Sequence, residues 1–155
     1  MMQGIRSMTH VFWINACLLT MVFAGTAFAA DHVPAQAGEA NALIVQGDQQ
    51  WIEGNLNLAQ KAFEQAVIAE PRSVRAHMRL AGLHLYRQEF KACIETYQQT
   101  IGLDAKNARA WLGLGFAYLH TGKNELSLAA FNEAIRVDPG NKEKLAPVLA
   151  KLDAP

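Results

Sequence analysis

The stretch "ARAWLGLGFAYLHTGKNELSLAAFNEAIRVDPGN", residues 108–141, decides the fold. Its first half is almost wholly apolar yet contains Gly113 and Gly115, a composition found in buried strands, phosphate-binding loops and some helices. A phosphate-binding G-x-G-x-x-G loop would need a third glycine at Tyr118. The large apolar residues recur instead at the spacing of one helix face: Trp111, Leu114 and Tyr118. We therefore predict a helix that packs closely at its glycine.

The same stretch is one copy of a 34-residue period, and internal repeats of this length are typical of stacked helical units. The aligned segments are 40–73, 74–107 and 108–141. Several residue classes recur in register: small residues at the eighth place (Gly47, Ala81, Gly115) and the twentieth (Ala59, Cys93, Ser127), and aromatics at the twenty-fourth (Phe63, Tyr97, Phe131). Two antiparallel helices approach closely only where the crossing point lacks bulk, which explains the small residues.

Each segment closes on an acid, then Pro or Ala, then a residue that can cap the next helix: "EPRS", "DAKN" and "DPGN". Proline at Pro71 and Pro139 stops the preceding helix. The side chains of Ser73, Asn107 and Asn141 are predicted to accept a bond from a first-turn N–H. Apolar spacing within each segment predicts a helix of about fourteen residues, a short turn and a second helix.

These residues resemble the tetratricopeptide repeat family, whose pattern is Trp, Leu, Gly and Tyr in the first helix, then Ala, Phe, Ala and a closing Pro. The third segment matches it with Trp111, Leu114, Gly115, Tyr118, Phe131, Ala134 and Pro139, although Ser127 replaces an alanine. The second segment departs from the pattern at His77, Ala81, His84 and Ala105, and the first at Gln46 and Gln50. The resemblance implies an all-α solenoid of three repeats, 40–73, 74–107 and 108–141.

Residues 142–155 continue with an apolar stripe, Leu145, Val148, Leu149 and Leu152, which predicts a helix that caps the third repeat. Pro147 is expected either to kink this helix or to lie in its first turn.

The first 29 residues have a different composition from the rest. Arg6 precedes an apolar segment from Val11 onward, and Ala27-Phe28-Ala29 has the A-x-A form of a cleavage site. We therefore predict a secretory signal peptide at 1–29, cleaved after Ala29, and a flexible lead-in at 30–39. An uncleaved N-terminal membrane anchor is the alternative, because Val11 to Ala30 has about the length that spans a bilayer. Cleavage would remove Cys17 and leave Cys93 as the single thiol.

No constellation for catalysis is apparent. The formal net charge is zero, so nothing in the charge balance indicates nucleic acid. His77 and His84 are about 10 Å apart along a helix, too far to share a metal, and are expected to make packing hydrogen bonds. Cys93 is expected to be a buried, inert thiol. We predict a non-enzymatic protein without cofactor, metal or small-molecule substrate.

The resemblance also implies a binding surface, because first helices line the concave side of such stacks. The places that contact ligands in the family correspond here to Ile44, Asp48, Trp51, Arg75, Met78, Arg79, Tyr86, Arg109, Leu112 and Phe116. Aromatic groups beside arginine forks suit a protein or peptide ligand with apolar anchors and a carboxylate. Gly113 is expected to leave room for that ligand beside Phe116.

Chaperone-tail binders of the family hold a carboxylate with Lys and Asn at places 2, 5, 6 and 9. Here places 5 and 9 of the first repeat are Ile44 and Asp48, and place 6 of the third is Gly113. The chain also resembles small exported repeat proteins, and with the predicted signal peptide this resemblance implies a periplasmic scaffold that binds a protein segment in its concave groove. Its implied role is to assist assembly of an envelope complex, as in cytochrome maturation, pilus or secretion biogenesis, or outer-membrane biogenesis. The alternative is a structural subunit whose groove or end face is buried in a homodimer.

Overall fold

The computed structural model describes residues 33–152, and every regular element assigned in that range is an α-helix. The seven helices are α1 (Val33–Ile52), α2 (Leu56–Ala69), α3 (Val74–Tyr86), α4 (Phe90–Leu103), α5 (Ala108–His120), α6 (Asn124–Val137) and α7 (Asn141–Leu152). The all-α prediction is confirmed. Of these helices, none combines the length and the hydropathy that crossing a bilayer requires.

The helices form three consecutive hairpins, α1–α2, α3–α4 and α5–α6, followed by α7. Helix α3 packs against both α2 and α4, α5 packs against both α4 and α6, and α7 packs against α6. The buried residues Ile44, Ala66 and Ala76 form one cluster that joins α1, α2 and α3. Helix α3 thus shares a core with the preceding hairpin, which is the arrangement of a repeat stack.

The small residues at the eighth place have the predicted geometric cause. A Cβ atom added to Gly115 would lie 2.5 Å from Cδ1 of Phe131, closer than real Cβ contacts allow. Gly47 meets the ring of Phe63 in the same way in the first hairpin. The Ser127 hydroxyl also donates a hydrogen bond of 2.9 Å to the carbonyl oxygen of Gly115. Gly115 is therefore the close-approach position for α6, as predicted.

The turn inside each hairpin contains one residue in the left-handed conformation, always at the fifteenth place of the repeat. Gly54 has a φ of 81° and Gly122 a φ of 71°, which glycine adopts without steric cost. Gln88 occupies the same place in the second repeat with a φ of 61°. The second repeat therefore carries backbone strain that the other two avoid.

Only one of the three predicted N-caps makes its hydrogen bond. The Asn107 side chain accepts a bond of 3.1 Å from the N–H of Ala110. Ser73 lies at the N-cap of α3 without a side-chain bond to the helix. Asn141 is buried, and its amide donates across 3.3 Å to the carbonyl oxygen of Ala134 instead. Its prediction as a cap is wrong because α7 folds back onto α6, which brings that carbonyl within reach.

Both ends of the described range differ in detail from the predictions. Helix α1 begins at Val33, so residues 33–39 of the predicted flexible lead-in are helical. Pro34 lies in the first turn, where its missing N–H leaves no helical bond unmade. Residues 30–32 and the predicted signal peptide at 1–29 lie outside the described residues. Pro147 lies inside α7, and the predicted stripe has Leu145 buried with Val148, Leu149 and Leu152 half-buried.

Candidate functional site

The first helices of neighbouring repeats lie side by side and touch through polar and aromatic side chains. Arg79 Nε lies 3.1 Å from Asp48 Oδ1, and Arg75 Nη1 donates to Asn41 Oδ1 at 3.2 Å. The rings of Trp51 and Tyr86 have centroids 5.9 Å apart. We call this surface of α1, α3 and α5 the inner face; it carries Asn41, Asp48, Trp51, Arg75, Arg79, Tyr86 and Arg109.

The aromatic part of the inner face packs on residues of the core. Trp51 is half-buried and packs edge-on against the core ring of Phe63, with centroids 6.2 Å apart. The indole also lies close to α3, since a Cβ added to Gly82 would make an ordinary contact of 3.6 Å with Trp51 Cη2. Tyr86 lies against Trp51 with 64% of its surface exposed. A rigid aromatic pair that keeps much of its area in solvent is suited to hold an apolar side chain.

A cavity adjoins this pair. It has a volume of about 380 Å³ and is lined by Asp48, Trp51, Ile52 and Arg79. Its walls combine an indole and an aliphatic side chain with one ion pair, so it can take an apolar group that carries a hydrogen-bonding partner.

The arginines of the inner face fall into two classes. Arg79 is engaged with Asp48, so its charge is partly neutralised. Arg75 and Arg109 are exposed, and within residues 33–152 no carboxylate lies at salt-bridge distance from either. Both occupy the second place of their repeats, at the start of α3 and α5. Their guanidinium groups can therefore accept a carboxylate from a ligand.

Several residues predicted to line the groove belong mainly to the core. Ile44 is fully buried with Ala66 and Ala76, so its prediction as a surface contact is wrong. Met78 is half-buried and packs against the cluster that includes Leu114. Leu112 is half-buried, and Phe116 packs edge-on against Phe131 with centroids 5.0 Å apart.

Gly113 does not leave room for a ligand. It is buried, and a Cβ added there would overlap the ring of Tyr97, with Tyr97 Oη at 2.5 Å. The expectation of open space beside Phe116 is therefore wrong, because a side chain of the preceding repeat fills that space. The accessible groove is shorter than predicted and is centred on Trp51 and Tyr86.

His77, His84 and Cys93 have structural surroundings, as expected. His77 Nε2 donates to the carbonyl oxygen of Pro71 at 3.0 Å, and His84 Nδ1 donates to Glu89 Oε2 at 2.6 Å. Burial raises the pKa of the Cys93 thiol to about 12. Among the described residues, no three His, Cys, Asp or Glu side chains are grouped so that they could hold a metal ion.

One feature of the site was missed at the level of sequence, namely the Asp48–Arg79 ion pair. Asp48 lies at place 9 of the first repeat and Arg79 at place 6 of the second. Opposite charges at these two places of adjacent repeats were the available signal, because first helices of consecutive repeats lie beside one another.

Comparison with known proteins agrees with this architecture. The tetratricopeptide repeat family model matches residues 44–92 and 83–142. The chain belongs to the tetratricopeptide repeat (TPR) family. TPR domains are in general non-enzymatic scaffolds for protein–protein interaction.

Two curated relatives share part of this TPR domain. Superkiller protein 3 of Saccharomyces cerevisiae is 36% identical over 74 residues, which are 47% of this chain and 5% of that protein. Human peptidyl-prolyl cis-trans isomerase FKBP4 is 30% identical over 92 residues, 59% of this chain and 19% of that protein. The chain thus spans a small part of the relatives that it matches.

Solved structures superimpose on most of the described chain, and two of them are TPR domains by their titles. The Arabidopsis OM64 TPR domain has a TM-score of 0.71 at 18% identity and covers 76% of this chain and 96% of its own. The first TPR of Spaghetti (RPAP3), bound to the HSP90 peptide SRMEEVD, has a TM-score of 0.66 at 16% identity, covering 74% and 95%. MamA has a TM-score of 0.63 at 24% identity, covering 69% and 63%. These likenesses show a shared fold.

Proposed function

We propose that the inner face of this TPR domain binds a peptide segment of another protein. The observation that supports this function best is the pair of Trp51 and Tyr86, in which Trp51 packs on the core ring of Phe63 while Tyr86 is 64% exposed. Aromatic residues of this kind are the usual anchors of protein interfaces, because they offer a large contact area and lose little side-chain freedom. The adjoining cavity receives an apolar side chain of the peptide.

Arg75 and Arg109 indicate the second feature of the ligand, a carboxylate. Both guanidinium groups are exposed, without a carboxylate partner among residues 33–152. A charge-assisted, two-pronged bond to a carboxylate is the interaction that arginine makes best. Arg79 and Asp48 satisfy each other, so they shape the cavity wall and contribute less to the charge that the peptide meets.

A domain of the same fold lends support to peptide binding in general. The first TPR of Spaghetti (RPAP3) binds the HSP90 peptide SRMEEVD, which carries acidic and apolar residues. We do not extend that ligand to this chain. Place 5 of the first repeat is the buried Ile44 and place 9 is Asp48, which is paired with Arg79, so neither place offers a cation or amide donor to a terminal carboxylate.

We further propose that the protein works as an assembly scaffold in the cell envelope. This proposal depends on the charged start, the apolar segment and the A-x-A ending of residues 1–29. Intact-mass measurement of the protein from a fractionated host tests it. A chain that begins at Ala30 and is found in the exported fraction supports the proposal, whereas a full-length chain in the cytosolic fraction contradicts it.

Panning of a random peptide library on the purified domain tests the binding function without a known partner. We expect enriched peptides that combine a large apolar residue with Asp, Glu or a free C-terminus, and that bind with micromolar affinity. The variant Arg75→Glu/Arg109→Glu should weaken their binding at least about tenfold, since a charge-assisted contact is worth more than about 1.5 kcal/mol.

A matched control is Arg136→Glu, which reverses an exposed arginine on α6, away from the inner face. It should leave peptide affinity unchanged. Peptides that bind the double variant and the parent chain equally well would contradict the assignment of the inner face, provided that circular dichroism shows the same helix content for both.

A further inference from the structure

Large apolar side chains are exposed unevenly along the repeat stack. Within the part of the chain whose side chains are described, the first repeat holds four of the six: Val45 (59% exposed), Ile52 (82%), Leu58 (56%) and Ile68 (77%), while the others are Tyr86 and Leu126. Single exposed apolar residues are common on protein surfaces, but a concentration of them marks an interaction site. We call these four residues of the first repeat the end face.

The end-face residues lie on one side of each helix. Val45 and Ile52 are seven residues apart on α1, about two helical turns. Leu58 and Ile68 are ten residues apart on α2, close to three turns. The two helices therefore present two parallel apolar stripes.

The equivalent residues of the later repeats show where the end face points. Val45 and Ile52 occupy places 6 and 13, and in the second repeat these places are Arg79 and Tyr86, which contact Asp48 and Trp51 of the preceding repeat. In the third repeat, place 6 is Gly113, which meets Tyr97 of the preceding repeat.

The same comparison holds for α2. Leu58 corresponds to Leu126, which lines a cavity of about 400 Å³ together with Gln98 and Ile101 of the preceding repeat. Val45, Ile52 and Leu58 therefore lie on the side of the first repeat on which a preceding helical unit would pack, and Ile68 follows Leu58 along α2.

A helix covers the C-terminal end of the stack, whereas the first repeat has no such cover within residues 33–152. Helix α7 covers α6 at the C-terminal end, and its own residue Leu145 is buried. No helix within residues 33–152 covers the end face in the same way, since its four side chains are more than half exposed. If residues 1–29 are cleaved as predicted, only Ala30, Asp31 and His32 precede α1, which is too short a segment to form a capping helix.

We propose that the end face binds the end face of a second copy of this chain, so that two stacks join through their first repeats. The α2 stripe is self-complementary in an antiparallel pairing. Leu58 of one copy then lies opposite Ile68 of the other, and Lys61 lies opposite Gln65, so no like charges meet. A twofold interface requires this kind of self-matching surface. The end face borders the inner face at Ile52, which also lines the cavity there, but the pairing through Leu58 and Ile68 does not depend on peptide binding.

Sedimentation velocity over a dilution series tests this proposal. The protein is purified in the form that its host produces, and intact-mass measurement first establishes its N-terminal residue. We expect the parent chain to dimerise. The variant Leu58→Glu/Ile68→Glu should weaken the dimer at least about tenfold, because it places carboxylates in the desolvated contact. Both side chains are exposed in the monomer, so the fold should be retained, and Val45→Glu gives an independent second variant.

The matched control is Leu126→Glu, the same change at the equivalent place of the third repeat, where 48% of the side chain is exposed. It should leave the dimer intact, and Leu58→Glu/Ile68→Glu should keep its affinity for selected peptides. A parent chain that stays monomeric at every concentration, whatever its N-terminus, overturns the proposal. A dimer that survives both end-face variants, or that Leu126→Glu disrupts equally, also overturns it.

Discussion

Substitution of Gly113 by alanine tests the packing between the second and third repeats. The new methyl group would overlap the Tyr97 ring, whose Oη atom lies 2.5 Å from the position of the Cβ. Tyr97 is 5% exposed and belongs to a cluster with Ala81, Cys93 and Ala110, so its ring has no free direction in which to move. Overpacking of this kind costs about 1–3 kcal/mol of folding free energy.

Gly102→Ala separates this overpacking from the ordinary preference of helices for alanine. Gly102 is an exposed residue of α4, and no atom lies within 4 Å of a Cβ added there. Both substitutions gain helix propensity, up to about 1 kcal/mol, so their difference isolates the clash. We expect Gly102→Ala to be more stable than the parent chain, and Gly113→Ala to be less stable than Gly102→Ala by about 1–3 kcal/mol.

Urea unfolding followed by circular dichroism measures both free energies, with equal m-values as the check that the unfolded states are comparable. Gly82→Ala is an intermediate case, since its Cβ would make an ordinary contact of 3.6 Å with Trp51. If Gly113→Ala were as stable as Gly102→Ala, the Tyr97 ring would not cover Gly113. The prediction of open space for a ligand beside Phe116 would then stand.

Three further outcomes are expected. Gln88→Gly should raise the free energy of unfolding by about 0.5–1 kcal/mol, because it relieves a left-handed residue; a lower urea midpoint would count against this. Cys93 should not react with a disulfide reagent until urea unfolds the chain, since burial raises its pKa to about 12, and rapid labelling of the folded protein would refute its burial. The hydrogen bond from His84 lowers the pKa of Glu89 below its ordinary value of 4.5. The stabilisation of the folded state by this bond is therefore present above pH 4.5 and lost as the pH falls below 4.5. Glu89→Gln should flatten stability over that acidic range, and parallel stability curves for the two proteins would contradict the assignment.

The fold could be predicted from the sequence because its constraints act within one repeat. Gly115 is small because Phe131 of the same hairpin packs on it, and Gly47 and Phe63 make the same contact in the first repeat. A contact that recurs in every hairpin leaves its residue types at fixed places, so the 34-residue period records it.

The surface was less predictable because contacts between repeats differ from one junction to the next. Place 6 is Val45 at the end face, Arg79 in an ion pair, and Gly113 under Tyr97. The role of each depends on the residue that the preceding repeat presents, which the period does not reveal. Ile44 was misplaced for the same reason, because its burial depends on Ala76 in the following repeat.

The central claim is that the inner face holds the ligand, and the two tryptophans of the described chain offer the most direct test. Trp51 lies on the inner face, whereas Trp111 lines the separate cavity between α4 and α6 and donates its indole N–H to the Ala105 carbonyl at 3.0 Å. In a ¹⁵N NMR titration with a selected peptide, the indole N–H signal of Trp51 should shift progressively to saturation while that of Trp111 stays in place. A shift of Trp111 with Trp51 unchanged would contradict the account.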